Sequence, residues 1–243
     1  MNKTELKLEY NITQKENSGV SAIVVAAGSS TRMKGTNKQL ATLGGVPVII
    51  KTLLAFENSK NIANIILVVK DSDLFEIQTL TQKYMITKLT DIVCGGNSRQ
   101  ESVLKGFSRL RDTDSKVLIH DGARPFVTEE IIDSVTKGLK KHSAVTCAIK
   151  VKDTIKQIDC NGKVVKTLNR DSLVSVQTPQ GVRVAEYLKA VQSLDVSKFT
   201  DDTSIMEHAG YEVLTVEGGY KNIKITTKED LNLAESFLEE VSE

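Results

Sequence analysis

Three short segments of this 243-residue chain combine small residues with charge in a way that suits polyanion chemistry. The first is Ala26-Ala27-Gly28-Ser29-Ser30-Thr31-Arg32-Met33, followed by Lys38-Gln39. Small residues let backbone N–H groups come close to a polyphosphate, and Arg32 and Lys38 can neutralise it. The second segment, Gly95-Gly96-Asn97-Ser98-Arg99-Gln100-Glu101-Ser102, sets two glycines where a flat ring or a phosphate could approach. Ser98 also reads as a helix N-cap, with Glu101 completing a capping box, which leaves Arg99 and Ser102 unexplained. The third segment is His120-Asp121-Gly122-Ala123-Arg124-Pro125. A carboxylate beside phosphates is an expected magnesium ligand. Asp121 could equally cap the turn and pair with Arg124, and His120, inside an apolar run, reads as a hydrogen-bonded core histidine rather than a base. Neither a P-loop nor a GxGxxG fingerprint occurs, so P-loop and dehydrogenase-type nucleotide binding lose their main support.

The elements that must position these segments alternate. Residues 20–26, 62–69, 89–94, 116–120 and 144–149 read as buried strands. Residues 46–56, 74–84, 98–110 and 128–139 read as helices, with Pro47 near the start of the first and Thr128 capping the last. Such alternation predicts a mostly parallel sheet covered on both faces, with ligands beyond the carboxyl ends of the strands, where all three segments fall. After residue 150 the rhythm breaks. Asn161-Gly162 between β-branched stretches predicts a two-stranded ribbon over about 151–172. With a two-residue turn, Cys160 faces Lys163, Thr154 faces Asn169 and Asp153 faces Arg170. The core resumes at 174–177, followed by a helix at 184–194, a last strand at 222–225 and a helix from about Lys228.

Composition narrows the functional classes. Lys plus Arg total 32 against 31 for Asp plus Glu, and this balance argues against a nucleic-acid binder. No apolar stretch reaches the length of a membrane span. The three cysteines have no metal or disulfide spacing, which fits a reducing, cytoplasmic setting, and Cys94 and Cys147 read as core residues. Residues 1–19 read as a polar extension, followed by one domain over 20–243.

Taken in order, AAGSSTRM with NKQ, GGNSRQESV, HDGARPF, VKDTIK, NRDSL, QTPQ, TDDTSIME and NIKITTKEDL resemble the 2-C-methyl-D-erythritol 4-phosphate cytidylyltransferase family of the non-mevalonate isoprenoid pathway. The resemblance spans Ala26 to Leu231. It implies a Rossmann-like three-layer α/β/α nucleotidyltransferase fold with a projecting β-arm, a homodimer, CTP as co-substrate, Mg²⁺ and methylerythritol phosphate. By position, Arg32 and Lys38 match transition-state stabilisers, and Arg170 and Lys224 match residues that hold the sugar phosphate. Ala26, Ala27, Gly28, Gly96, Ser102 and Ala123 match nucleotide contacts, and Asp121 the acid near the metal. Arg124, Thr154 and Thr178 fall on the substrate side. Many relatives carry Pro, Gly and Asp where Val25, Ser30 and Asn97 stand, and the spacer from Arg32 to Lys38 is short. Ribitol-5-phosphate cytidylyltransferase shares most of the motifs, but HDGARP and TDDTS look more like the methylerythritol enzyme. A non-catalytic nucleotide-binding regulator is the alternative from another class; it would not need the four cations and Asp121.

Overall fold

The computed structural model describes residues 19–28 and 37–239. Arg32 and the polar extension before Gly19 lie outside the described residues. Runs of six to eight residues form the strands expected of them: β1 (Val20–Val25), β4 (Ile62–Val69), β5 (Leu89–Cys94), β6 (Lys116–Asp121) and β7 (Ala144–Lys150). With β10 (Val174–Arg183) and β11 (Val213–Glu217) they make a seven-stranded sheet in the order β11-β7-β10-β6-β1-β4-β5. All its pairings are parallel except those of β10, which runs antiparallel to both β6 and β7.

The period of two along each strand divides the core into two layers. Ala22, Val24, Ile65, Leu67, Leu118 and Cys147 face helices α1 (Val48–Asn58), α2 (Leu74–Lys83) and α4 (Glu129–Gly138), against Leu53, Phe56, Ile77 and Ile132. Ile23, Ile66, Val68, Ile119 and Val182 face α3 (Arg99–Phe107), α5 (Val184–Ser193) and α6 (Asp202–His208), against Val103, Phe107, Tyr187 and Met206. The result is the three-layer α/β/α arrangement. A small cluster of Leu43, Val48, Ile225 and Ala234 seats α7 (Lys228–Glu239) near the short hairpin of β2 (Thr42–Leu43) and β3 (Val46–Pro47).

Four expectations are corrected. Residues 222–225 are not a strand. They cross the loop after β6, where Ile225 N–H donates to Ala123 O at 2.8 Å instead of entering a ladder. The last strand is β11, an edge strand with only partial burial, and hence a weak apolar signal. Residues 46–47 belong to β3, and Pro47 precedes the helix with an extended ψ of 139°. Cys94 is half-exposed at the end of the edge strand β5, with its thiol donating to Asp71 Oδ1 at 3.3 Å, whereas Cys147 is fully buried.

The ribbon of β8 (Lys156–Ile158) and β9 (Val164–Thr167) is present, with a different turn. Gly162 N–H donates to Asp159 O, Gly162 has φ 79°, and the Asp159 carboxylate accepts from the N–H groups of Asn161 and Lys163. A type I turn closed by a left-handed glycine thus replaces the two-residue turn. Asp159, not Cys160, faces Lys163, because the Asx-turn bonds of Asp159 hold a loop one residue longer, Cys160 to Gly162. A bulge between Gln157 and Ile158 then restores the anticipated register at Lys156↔Thr167.

Candidate active site

A cavity of about 450 Å³ opens beyond the carboxyl ends of β1, β4, β5 and β6. Ala27, Gly28, Gly96, Ser102, Asp121 and Ala123 line it, together with Lys38 and Lys224. Ala26 is buried beside it, with its N–H donating to Val68 O at 2.7 Å. The loops are stitched to neighbouring strand ends: Gly95 N–H donates to Val69 O and Gly122 N–H to Val25 O. Gly95 is required for this packing, since a Cβ there would stand 2.3 Å from Ala27 Cβ. Lys38 reaches back over the first loop; a Cβ on Gly28 would lie 3.7 Å from its Nζ.

The start of α3 forms one wall. Ser98 Oγ accepts from Glu101 N–H at 3.1 Å, as a cap should. Glu101 does not return to the cap residue itself; it accepts from Asn97 N–H at 2.8 Å. Ser102 donates to Ser98 O at 2.8 Å and accepts from Gly96 N–H at 3.0 Å, which fixes the glycine backbone at the cavity rim.

Asp121 is the electrostatic centre. Its Oδ2 lies 2.9 Å from Lys224 Nζ and 3.5 Å from Arg124 Nε, and its Oδ1 3.6 Å from Arg99 Nε. Burial would raise its pKa, but Lys224, Arg99 and Arg124 outweigh it and hold the carboxyl well below the usual carboxylate range. The anticipated pair of Asp121 and Arg124 therefore exists, inside a larger cluster of cations. Arg124 is turned inward, with Nη1 donating to Asn222 O at 2.8 Å. That bond and the one from Ile225 to Ala123 clamp residues 222–225 and deliver Lys224 to the cavity.

His120 is fully buried. Its Nε2 lies 3.2 Å from the Arg124 carbonyl, which can only accept, so Nε2 carries the proton and Nδ1 accepts from Thr178 Oγ1 at 3.1 Å. Thr178 Oγ1 in turn accepts from Asp121 N–H at 3.1 Å. Burial lowers the His120 pKa to about 4, so the ring is neutral and serves as a prop rather than a base. Thr178 is buried and stands behind Asp121, outside the lining.

Thr154 and Arg170 are exposed on the arm and do not line the cavity of their own chain. Arg170 Nη1 donates to Lys152 O at 2.8 Å, so it sits at the base of the ribbon near Asp153. Two residues were missed as site members. Lys70 lines the cavity from the end of β4, a position no motif flagged. Arg99 pairs with both Asp121 and the buried Asp202; its signal was that capping did not account for it.

Among the described residues no group of three or more His, Cys, Asp or Glu side chains is arranged to hold a metal ion. Asp121 is the single acid among the lining residues, and it is ionised. Magnesium usually takes one or two carboxylates together with substrate phosphates, so this donor fits an ion that arrives with a triphosphate.

A sequence model of the 2-C-methyl-D-erythritol 4-phosphate cytidylyltransferase family matches residues 20–240. The protein of that name from Clostridium novyi (strain NT) is 46% identical over 224 residues, covering 90% of this chain and 96% of the relative. The Bacillus thuringiensis (strain Al Hakam) protein of the same name is 44% identical over 219 residues, covering 89% and 96%. Among solved structures, 4-diphosphocytidyl-2C-methyl-D-erythritol synthase from Anaerococcus prevotii superposes with a TM-score of 0.82 at 35% identity, covering 91% of this chain and 96% of that one. The Thermus thermophilus cytidylyltransferase gives 0.72 at 26% identity, covering 91% and 99%.

Proposed function

The chain belongs to the 2-C-methyl-D-erythritol 4-phosphate cytidylyltransferase family, and from that membership we infer how its residues share the work. The enzyme transfers the cytidylyl group of CTP to 2-C-methyl-D-erythritol 4-phosphate, giving 4-CDP-2-C-methyl-D-erythritol and pyrophosphate, in isoprenoid biosynthesis. The nucleophile is an oxygen of a phosphate monoester. Its second pKa is about 6, so it is largely ionised at neutral pH and needs no base. The barrier lies in bringing two anions together and in charge that builds up at the α-phosphate and the leaving pyrophosphate, which fixed cations counter.

The carrying observation is a cavity at the strand ends with Lys38 and Lys224 in its lining and its one histidine neighbour propped neutral behind it. In this reading the backbone of Ala26, Ala27, Gly28, Gly96 and Ala123, with Ser102, holds the nucleotide. Lys38, and Arg32 outside the described residues, stabilise the triphosphate as pyrophosphate departs. Lys224 draws in the sugar phosphate. Arg124 and Thr178 act from behind, by orienting Asp121 and residues 222–225. Asp121 is the residue that would hold Mg²⁺, which when bound neutralises phosphate charge.

We further place the arm of one subunit at the site of a second copy, with Thr154 and Arg170 facing the partner's sugar phosphate. Supporting this, Ile158, Val164, Val165, Val174 and Val176 expose between 40% and 63% of their surface along the arm and its root. A ribbon of two strands is marginal in water unless its apolar side is covered, and a C₂ partner covers both arms alike. Residues 20–243 are proposed to act as one domain in the cytoplasm; free Cys94, Cys147 and Cys160 accord with a reducing compartment. Competition of methylerythritol phosphate with ribitol 5-phosphate in one reaction tests the substrate: the methylerythritol product is expected to dominate, and a dominant ribitol product would overturn the reading.

A further inference from the structure

Arg99 opens α3, where the helix N-terminus disfavours a cation. Two carboxylates compensate. Arg99 Nη1 is 2.7 Å from Asp202 Oδ2, and Nε is 3.6 Å from Asp121 Oδ1. Asp202 has no exposure at all, so it cannot touch a substrate. It is held rigidly: Oδ1 accepts from Tyr187 O–H at 2.9 Å, and its own N–H donates to Gln180 Oε1 at 2.9 Å. The Tyr187 ring stacks on Phe107 at the other end of α3, with centroids 4.6 Å apart. A buried ion pair is a poor stabilising device, because desolvation offsets its attraction and apolar replacements often do as well. Its placement here has a different consequence. Lys224 and Arg124 both pull on Oδ2 of Asp121, and among the described residues Arg99 is the only cation paired with Oδ1.

We propose that Asp202 and Arg99 form a strut that positions the Asp121 carboxylate, and through it Lys224, for cytidylyl transfer. Arg99 and Asp202 are thus positioning residues, with Asp202 as the anchor that sets the guanidinium and the guanidinium as the link to the cavity. The proposal rests on the reading of Asp121 as the acid beside the triphosphate.

The test is a double-mutant cycle on the full chain. Asp202→Asn preserves the shape and an acceptor for Tyr187 while removing the charge that anchors Arg99. Its kcat is expected to fall about tenfold, as when supporting partners of a site carboxylate are lost. The KM for CTP should stay within about threefold, since the nucleotide-holding loops are untouched. In an Asp121→Asn background the same change should add less than about twofold, because the strut then has nothing to position. If Asp202→Asn fails to fold, Arg99→Met combined with Asp202→Leu removes both charges together and should show the same kcat loss and the same coupling. A lowered thermal midpoint with unchanged kcat, or losses that multiply across the cycle, would assign the pair a purely structural role and overturn the strut. Unchanged turnover in Asp121→Asn alone would overturn the reading of Asp121 itself.

Discussion

Mild acidification should destabilise this protein chiefly through His120. The fold holds its ring neutral, with Nε2–H donating to Arg124 O and Nδ1 accepting from Thr178. Protonation would destroy the acceptor at Nδ1 and set a charge in a buried site near Arg124 and Lys224, an effect that Asp121 offsets only in part. The folded pKa is lowered from 6.5 to about 4. The unfolded chain therefore binds more protons between these values, and stability rises with pH across the window. It is fully present above about 6.5 and lost as pH falls toward about 4, at about 1.4 kcal/mol per unit and about 3 kcal/mol in all. Between about pH 7.5 and 5.5 the loss from this group alone is about 1.3 kcal/mol. The measurement is urea unfolding at both pH values for the wild type and for His120→Gln. The wild type should lose about that much more than the variant, with the m-value unchanged. Equal losses would refute a neutral buried imidazole.

Thr178→Val should cost about 2–4 kcal/mol in the same unfolding assay, because it strands the buried Asp121 N–H and His120 Nδ1 without changing side-chain volume much. A cost near zero would contradict the chain of bonds behind Asp121. CTP should exceed UTP in kcat/KM by about 100-fold or more, since a site that pairs the cytosine amine through backbone groups leaves them unmatched with uracil; equal values across the four triphosphates would count against that lining. Mixing Arg170→Ala with Lys38→Ala subunits, each strongly impaired alone, should return about half of the wild-type activity per heterodimer if the arm serves the partner's site. No recovery, or a monomer at working concentration, would end that assignment.

Legibility in the sequence followed burial. The strand at 62–69 coincides with β4 because a nearly continuous apolar run leaves little freedom, whereas the edge strand β5 at 89–94, with one buried residue, was marked by the Gly95-Gly96 that ends it. β11 escaped notice because its Val213–Glu217 run sits at a sheet edge and is only half covered. The 222–225 segment has a strand-like pattern, yet its apolar residues are spent on packing with α7 and its backbone on the loop after β6. At the site, the loops after β1, β5 and β6 were identifiable because small residues and charges cluster there. The partners were not. Arg99 and Asp202 are 103 positions apart, and nothing local in either segment announces that they meet. The ribbon illustrates a smaller failure: Asn161-Gly162 located the turn, but the competing Asx bonds of Asp159 decided its type.

The central question is whether charge in this cavity lowers the barrier to cytidylyl transfer. The direct measurement is steady-state pyrophosphate release from CTP and 2-C-methyl-D-erythritol 4-phosphate, with the product identified by mass, for the wild type and Lys38→Ala. One CDP-methylerythritol is expected per pyrophosphate. The variant's kcat should be about 100-fold lower, with a much smaller change in the KM for CTP, the signature of a charge felt mainly in the transition state. Unchanged turnover in Lys38→Ala, or a rise in KM with kcat intact, would contradict this.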